Sequence, residues 1–308
     1  MKVLDLFAGV GGIRMGMESV GFETVYGNDL NKWCKHTYDL NHSDPPLTVA
    51  NINDVVAESL PDHDILTGGF PCQPFSAAGL RKGFKDDRGT LFFSIANILD
   101  VKKPKSFLLE NVKGLVGHDK GRTLRAILKI CDDLGYSVKF QVLNSKIHAN
   151  VPQNRERIFL VGFKNEEVFR NFVFPDPIPL TTFYWDLLEE DVDDKYYIKN
   201  KKFFDVVKDH MKERGTAYQW RYNYVRTHMH KGVVPTLVCG GTTPIILTDK
   251  GLRHITPKES FNLQGFPLGF KLPDISDNHL YKQAGNSVTS PLIGKIAEQI
   301  KLAYDRTL

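Results

Sequence analysis

The sequence predicts an α/β domain with a mostly parallel sheet, followed by a smaller domain of β and irregular structure. Up to about residue 165, short apolar runs alternate with amphipathic stretches of helical periodicity, a pattern typical of strand–helix–strand units. This alternation stops at about residue 173, where the proline-rich segment 174–179 begins. We interpret that segment as a linker. The 308 residues, 42% of them hydrophobic, are enough for one large core and a second, smaller one.

The predicted elements follow one another along the chain. Clusters of apolar residues predict strands at 2–7, 24–26, 65–67, 106–109 and 157–161. Apolar residues at helical spacing predict helices at 12–20, 90–99 and 122–134, and an amphipathic helix at 290–304. A further helix should begin at Thr256, because Pro257 takes its first position and Glu259 completes a capping box.

Composition narrows the classes of protein to consider. A formal net charge of +4 permits nucleic-acid binding without requiring it. The four cysteines (Cys34, Cys72, Cys131 and Cys239) form no C-x-x-C pair, so we expect no metal site, no disulfide framework and a reducing compartment. The N-terminus has no long apolar stretch, and no apolar run approaches membrane-spanning length. We therefore expect a soluble, cytoplasmic protein.

A glycine-rich turn follows the first predicted strand. Gly9, Gly11 and Gly12 allow a ligand to approach the backbone closely at the start of a helix. Asp29 follows the second strand, where an acidic residue takes the ribose hydroxyls in nucleoside-binding βαβ units. Arg14 occupies the place of the third glycine of G-x-G-x-x-G, which favours a nucleoside without phosphates over a pyrophosphate ligand. A plain structural turn is the alternative.

Cys72 lies between two prolines, directly after the glycine-terminated segment 63–70. Pro71 and Pro74 fix two φ angles and remove two backbone donors, so we expect Cys72 on a stiff loop at the end of a strand. Such a cysteine is either a buried small hydrophobe or a reactive thiol.

Charged residues stand beside two other predicted strands. Glu110 follows the strand at 106–109, whose carboxyl end should face the same cleft as Cys72; an N-cap or a surface charge is the alternative. Arg155 and Arg157 would share one face of a strand, where they either bind an anion or form salt bridges.

Together and in this order, these residues resemble the motifs of the cytosine-C5 DNA methyltransferases. The family's first cofactor motif is similar to DLFAGVGG, and its catalytic loop to GGFPCQPFS. Later family motifs match ENV, QNRERIFLVGF, RHITPKESFNLQGFP and QAGNSV. The resemblance covers all but roughly residues 173 to 250, where the family has its variable recognition region. It implies a Rossmann-like S-adenosylmethionine-dependent methyltransferase domain at 1–172 and 284–308, a target-recognition domain at 173–252 and a hinge region at 253–283.

The resemblance also implies residue roles. Cys72 would attack C6 of a cytosine flipped out of the duplex, Glu110 would hold its N3 and exocyclic amine, and Arg157, with Arg155 nearby, would orient the base. Residues implied to bind S-adenosyl-L-methionine and its product S-adenosyl-L-homocysteine are Phe7, Ala8, Gly9, Gly11, Gly12, Asp29, Leu30, Asn51, Ile52, Pro71, Asn286 and Ser287. Two positions depart from the family pattern. Asn51 replaces an acidic residue that often binds the adenine amine, and Leu30 replaces a larger side chain that often stacks on adenine.

Candidate DNA contacts lie after Cys72 and in the smaller domain. Residues 77–88 contain glycines and alternating charges, and we interpret them as a mobile flap rather than an ordinary surface loop. Basic residues and aromatics mix at 218–230, a composition that suits phosphate and base contacts but, in isolation, is more typical of a core. The candidate DNA contacts are Ser76, Arg88, Arg221, Arg226, Thr242 and Thr243, with His228 and His230 beside them.

The resemblance therefore implies a monomeric DNA (cytosine-5) methyltransferase that acts on double-stranded DNA and associates with the bacterial nucleoid through it. The resemblance implies a restriction-modification system whose endonuclease shares the recognition site without needing to bind this chain. A relative that methylates transfer RNA is one alternative, but its recognition region would be much reduced. A non-catalytic DNA-binding regulator would lose Cys72 or Glu110. A nucleotide-binding oxidoreductase would explain Asp29 and the glycine turn, but neither Cys72 between its prolines nor Glu110.

Overall fold

The fold is described from a computed structural model, in residues 1–71, 91–199, 215, 217–221, 224–227, 231–239 and 243–307; at 218–221 and 224–227 the backbone alone is described. The chain divides into two compact units. The first comprises Met1–Leu143, Glu156–Pro175 and Leu292–Leu308, and the second Asn144–Arg155 and Asp176–Pro291. The functional boundaries implied by the resemblance (173–252 and 253–283) stay predictions.

In chain order, the strands are β1 (Lys2–Leu6), β2 (Glu23–Asp29), β3 (Leu47–Val49), β4 (Ile65–Gly69), β5 (Ser106–Val112), β6 (Ser137–Asn144), β7 (Gln153–Asn154), β8 (Glu156–Phe163), β9 (Ala217–Arg221), β10 (Tyr224–Thr227), β11 (Val234–Pro235), β12 (Ile245–Thr248) and β13 (Gly251–His254). The α-helices are α1 (Gly12–Glu18), α2 (Lys32–Asn41), α3 (Leu91–Lys102), α4 (Arg122–Asp133), α5 (Ser145–His148), α6 (Glu166–Asn171), α7 (Pro257–Asn262), α8 (Asp277–Asn286) and α9 (Ser290–Asp305).

A seven-stranded sheet in the order β3-β2-β1-β4-β5-β8-β6 forms the centre of the first unit. The strands from β3 to β5 in this order pair in parallel, whereas β8 runs antiparallel to β5. This architecture confirms the predicted α/β fold with a mostly parallel sheet. Because parallel strands end at one edge of a sheet, the glycine turn after β1 and the segment after β4 that leads to Cys72 leave the sheet at the same edge.

Apolar side chains cover the strands of this sheet, which is why they appear in the sequence as apolar runs. In β1, Val3, Leu4 and Leu6 are fully buried. The helix α3 buries Phe92, Ile95 and Leu99, which recur at helical spacing and join the same core as Leu4 and Leu6.

The second unit contains a four-stranded sheet in the order β10-β9-β12-β13, whose described pairings are antiparallel, and a two-stranded parallel pair of β11 with β7. The helix α7 begins as predicted: the Thr256 side chain accepts from the Glu259 N–H, and the Glu259 carboxylate accepts from the Thr256 N–H. The same carboxylate forms a buried ion pair with Arg253, 2.7 Å from it. A capping box and an ion pair thus share one carboxylate.

The structure corrects three predictions of local structure. The strand β5 continues to Val112, so Glu110 lies within it rather than after it, because β4 and β8 supply hydrogen-bonding partners on both sides up to this point. Asp29 is likewise the last residue of β2 rather than its successor. The polar segment 283–288 is typical of a tight turn in the sequence, but residues 283–286 complete the helix α8. In the part of the chain that the structure describes, no helix is both long and apolar enough to cross a membrane.

Candidate active site

The sheet register brings Glu110 beside the segment that precedes Cys72. Glu110 of β5 pairs with Gly69 of β4, and a Cβ at Gly69 would lie 3.3 Å from Glu110 Oε2. The absence of a side chain at Gly69 therefore leaves room for the carboxylate at this edge. On the other side, Arg157 Nε lies 3.0 Å from Glu110 Oε1, and the two side chains are only 14% and 11% exposed. The structure thus brings Glu110 and Arg157 together as a nearly buried ion pair.

The arginine of this pair is held in place at both ends of its guanidinium. Arg157 Nη1 donates to the Glu156 carbonyl at 2.8 Å, and the exposed Lys113 pairs with the Glu156 carboxylate at 3.0 Å. Burial lowers the pKa of Arg157 and the charge of Glu110 partly offsets this, yet a guanidinium stays protonated at any pH at which proteins fold. The site consequently holds a carboxylate beside a permanent cation, a combination that can hydrogen-bond a polar heterocycle.

The chain leaves β4 through Phe70 and Pro71. The Phe70 ring packs in the core, with its centroid 5.6 Å from that of Phe92, and Pro71 is exposed. The buried amide of Asn111 donates to the Phe70 carbonyl, an interaction that the sequence analysis missed although Asn111 follows Glu110 directly. The predicted nucleophile Cys72, the predicted DNA contacts Ser76 and Arg88, and the interpreted flap at 77–88 lie outside the described residues.

The glycine turn after β1 places Gly9 against Asp29. The Gly9 N–H donates to Asp29 Oδ2 at 2.9 Å, and the Asn31 N–H donates to Asp29 Oδ1 at 2.7 Å. Phe7 and Gly9 have positive φ angles of 54° and 55°, a conformation that is uncommon for Phe7 and typical of residues at functional sites. A Cβ at Gly9 would meet no atom within 4 Å, so the space beside this backbone is open.

A cluster of buried polar side chains, His42, Arg14 and Tyr38, lies beside the turn. No pattern in the sequence predicted that these residues would come together. A Cβ at Gly11 would clash with Nε2 of the buried His42, so the absence of a side chain at this glycine leaves room for the ring. Burial lowers the pKa of His42 to about 4. Arg14, which replaces the third glycine of a dinucleotide fingerprint, donates to Tyr38 Oη at 3.1 Å and to the Pro45 carbonyl at 2.9 Å. Its role in this structure is to tie α1 to α2 and the turn that follows.

The remaining predicted cofactor residues of the first unit lie at the same sheet edge or near it. Ala8 and Gly12 are buried within the turn, and Leu30, next to Asp29, is 68% exposed. The Ala50 N–H donates to the Asp29 carbonyl, which brings Asn51 close to Asp29. The Asn51 side chain caps the short helical turn Ile52–Asp54 by accepting from the Asn53 N–H, and Ile52 is buried.

These groups suit a nucleoside. A carboxylate that already accepts two N–H groups still has lone pairs for a pair of ribose hydroxyls. Asp29 has this arrangement, and burial raises its pKa. The open space at Gly9 allows close approach, Leu30 offers an apolar contact, and the amide of Asn51 supplies a polar one. The residues present therefore fit S-adenosylmethionine.

The second unit holds the other predicted residues. Arg155 is 2% exposed, and its guanidinium donates to the carbonyls of Leu237, Gly285 and Ser287 at 2.8, 3.3 and 2.6 Å. It thus ties three segments of this unit together. Its assignment to catalysis stays a prediction. Asn286 is the exposed last residue of α8, and Ser287 is its buried C-cap.

The predicted DNA contacts of this unit are only partly described. Arg221 and Arg226 lie on the antiparallel pair of strands β9 and β10, opposite Tyr224 and Gln219. Thr243 is half-buried, and its carbonyl lies 3.3 Å from Nδ1 of His254. Thr242, His228 and His230 lie outside the described residues. Among the residues that the structure does describe, no three His, Cys, Asp or Glu side chains are grouped so that they could hold a metal ion.

Comparison with known proteins adds sequence relatives and a shared fold. The profile of the C-5 cytosine-specific DNA methylase family matches residues 1–302. The chain is 45% identical to the Type II methyltransferase M.Bsp6I of Bacillus sp. (strain RFL6), over 97% of this chain and 98% of that protein. It is 44% identical to the Type II methyltransferase M.NlaX of Neisseria lactamica, over 98% and 96% of the two chains. The crystal structure of the S. pombe Dnmt2 methyltransferase shares the fold, with a TM-score of 0.75, 20% identity and 98% of each chain covered.

Proposed function

The chain belongs to the C-5 cytosine-specific DNA methylase family and is a DNA (cytosine-5) methyltransferase, and on this premise we propose how it acts. It transfers the methyl group of S-adenosyl-L-methionine to C5 of a cytosine that is flipped out of a short, specific sequence in double-stranded DNA. Cys72 is the nucleophile, and Glu110 and Arg157 bind the base. The observation that carries this proposal is the nearly buried Glu110–Arg157 pair, held by strand register beside Gly69, three residues before Cys72.

The thiol of Cys72 makes C5 reactive. Carbon 5 of cytosine is a poor nucleophile, whereas a thiolate that bonds to C6 turns the C5–C6 region into an enamine. S-adenosylmethionine supplies an electrophilic methyl group, because that group is attached to a sulfonium. After C5 has been methylated, a base removes the proton from C5, the S–C6 bond breaks and the thiolate leaves. Sulfur suits the attack on C6 because roughly a few per cent of a cysteine thiol is already thiolate at neutral pH. It also suits the final step, because a thiolate can leave by elimination.

Glu110 and Arg157 stabilise the base while it carries extra electron density. Attack at C6 pushes electrons towards N3 and the ring carbonyl. A Glu110 carboxyl group at N3 and the exocyclic amine can share a proton with N3, and the Arg157 guanidinium can donate to the carbonyl oxygen. Support comes from the 3.0 Å contact between the two side chains and from their burial, since charges act more strongly away from water. We assign Arg155 a supporting part through the backbone carbonyls that it binds.

The cofactor binds at the turn after β1. We propose that Asp29 takes the ribose hydroxyls, that Gly9 and Gly11 let the cofactor approach the backbone, and that Asn51 binds the adenine. The open space at Gly9 supports this assignment. Phe7, Ala8, Gly12, Leu30, Ile52, Pro71, Asn286 and Ser287 complete the proposed set.

Base flipping and sequence recognition fall to other parts of the chain. A cytosine stacked in a duplex cannot enter an enzyme's active site, so it must leave the stack at a cost of roughly a few kcal/mol. We propose that residues 77–88 close over the flipped base and that residues 173–252 read the sequence, with Arg221, Arg226, Thr242 and Thr243 among the contacts. Since its relatives are Type II methyltransferases, we propose that the chain protects host DNA as a monomer, beside an endonuclease that shares its recognition site.

The test is to trap the covalent step. We would incubate the protein and cofactor with a duplex that contains its recognition sequence with 5-fluorocytosine at the target. Fluorine at C5 leaves no proton to remove after methylation, so the S–C6 bond cannot break and an adduct should accumulate. Mass spectrometry should find the adduct on the peptide that contains Cys72, and Cys72→Ser should form none. An adduct on another residue, or methylation of unmodified DNA without an adduct on the fluorinated duplex, would refute the mechanism.

A further inference from the structure

We propose that Asn111 is a positioning residue for the segment that carries the nucleophile. Its side-chain amide fixes the carbonyl of Phe70, from which the chain continues through Pro71 to Cys72. The inference rests on the proposed function, because it takes Cys72 as the nucleophile, and it adds a residue to which the sequence analysis gave no role.

The amide of Asn111 is held in one orientation. Its Nδ2 donates to the Phe70 carbonyl at 2.8 Å, and its Oδ1 accepts from the Val112 N–H at 2.8 Å. The side chain is 1% exposed, so no water competes for these bonds. A flipped amide would turn an oxygen towards a carbonyl oxygen and an NH₂ group towards an N–H, and would lose both hydrogen bonds. The hydrogen bond to the Phe70 carbonyl therefore depends on an amide at position 111.

Phe70 is also fixed by the packing of its ring. It is 5% exposed, and its ring packs against Phe92 of α3 in the main core. Pro71 restricts Phe70 to extended conformations, has its own φ fixed and offers no N–H to bond elsewhere. The direction in which the chain leaves β4 thus depends on the packing of the Phe70 ring and on the hydrogen bond from Asn111.

Glu110 and Asn111 are adjacent on β5 and contact two different parts of the proposed active site. Glu110 pairs with Arg157, and both are proposed to bind the base. Asn111 contacts Phe70, at the start of the segment that leads to Cys72. Glu110 pairs with both β4 and β8, and Asn111 pairs with β8, so the sheet fixes the spacing between the Glu110–Arg157 pair and the start of that segment. Reaction rates depend steeply on such spacing: a misplacement of about 1 Å can cost about a hundredfold.

The first test separates turnover from binding. In Asn111→Ala the donor is lost, and in Asn111→Asp a carboxylate oxygen also faces the Phe70 carbonyl; the alanine variant keeps the test available if the aspartate variant does not fold. We expect kcat to fall about tenfold to a hundredfold in both. The KM for S-adenosylmethionine and the dissociation constant of S-adenosylhomocysteine should stay within about twofold, since the glycine turn is untouched.

Asn28 provides a matched control. It is also 1% exposed, and its amide donates to the carbonyls of Thr48 and Ala50 at 3.2 and 3.0 Å, but it lies on β2, which β1 separates from β4. Asn28→Asp should lose a similar amount of thermal stability and keep kcat at saturating cofactor within about twofold. An equal fall of kcat in the Asn28 and Asn111 variants would assign Asn111 to stability alone and overturn the proposal.

The second test needs no methyl transfer. We would measure the alkylation of each cysteine by iodoacetamide against pH, by mass spectrometry of peptides. Cys34 and Cys131 are buried, with pKa values raised by burial, and exposed Cys239 serves as the reactive reference. The rate at Cys72 relative to Cys239 should change at least about threefold in both Asn111 variants and stay unchanged in Asn28→Asp. An unchanged Cys72 profile in the Asn111 variants would overturn the positioning role. If Cys72 alkylation changes in the Asn111 variants as expected but the wild-type protein methylates no DNA, the proposed function is refuted and the positioning role stands.

Discussion

Replacing Gly9 by alanine separates backbone strain from loss of cofactor binding. Gly9 has a φ of 55°, and a Cβ there would meet no atom of the protein within 4 Å. A left-handed conformation costs an alanine roughly 1–2 kcal/mol. The free energy of unfolding should therefore fall by about that amount and no more. The added methyl group would, however, stand in the space through which the cofactor approaches the backbone.

Gly9→Ala should also weaken cofactor binding, which backbone strain at a glycine outside the cofactor site would not do. We expect the dissociation constant of S-adenosylhomocysteine, measured by calorimetry, to rise at least about tenfold, equivalent to about 1.4 kcal/mol. Gly21→Ala is the matched control, because Gly21 has a φ of 86°, has equally open space and lies in the turn before β2. It should lose the same roughly 1–2 kcal/mol in urea unfolding and bind the cofactor like the wild type.

Two results would refute this reasoning. If Gly9→Ala bound S-adenosylhomocysteine as tightly as Gly21→Ala, the turn after β1 would not be part of the cofactor site. If Gly9→Ala lost several kcal/mol more stability than Gly21→Ala, the space beside Gly9 would not be open, and the fit of a nucleoside there would lose its basis.

Three further predictions concern the nucleophile, a buried ion pair and a buried acid. Cys72→Ser should abolish methyl transfer and keep the wild-type unfolding curve; residual turnover would remove the thiol from the mechanism. Arg253→Leu should lose about 3–5 kcal/mol in urea unfolding, because it leaves the fully buried Glu259 carboxylate without its cation; a loss below about 1 kcal/mol would contradict this. Burial raises the pKa of Asp5 from 3.8 to about 7, so folding favours its protonated form between these values. The wild type should therefore lose stability relative to Asp5→Asn as pH rises from about 4 to about 7, and parallel stability curves would contradict this.

Several elements could be predicted from residues that are close together in the sequence. The capping box at Thr256 and Glu259 involves residues three positions apart, so it is visible in the sequence and is present in the structure. The positions of Gly9 and Asp29 depend only on the length of one βαβ unit, and in the structure the two residues are in contact. The parallel sheet followed from the alternation of apolar runs and amphipathic stretches.

Features that depend on distant partners could not be predicted from the chain. Arg155 binds carbonyls that lie 82 to 132 residues further on, so its surroundings could not be deduced from its neighbours. The length of β5 is set by its pairing with both β4 and β8, which the apolar run at 106–109 does not reveal. The contact of Asn111 with Phe70 and that of His42 with Gly11 join different elements, and polar residues that become buried give no local pattern.

Methylation of cytosine at C5 in a specific DNA sequence, through Cys72, is the activity that we propose for this chain. The most direct measurement is to express it in a bacterial host that has no cytosine methylation of its own and to map 5-methylcytosine across the genome by bisulfite sequencing. We predict methylation confined to one short motif, and none with Cys72→Ser expressed at the same level. An unmethylated genome despite folded wild-type protein, or equal methylation by the serine variant, would contradict the claim, and in the first case transfer RNA would be the next substrate to assay.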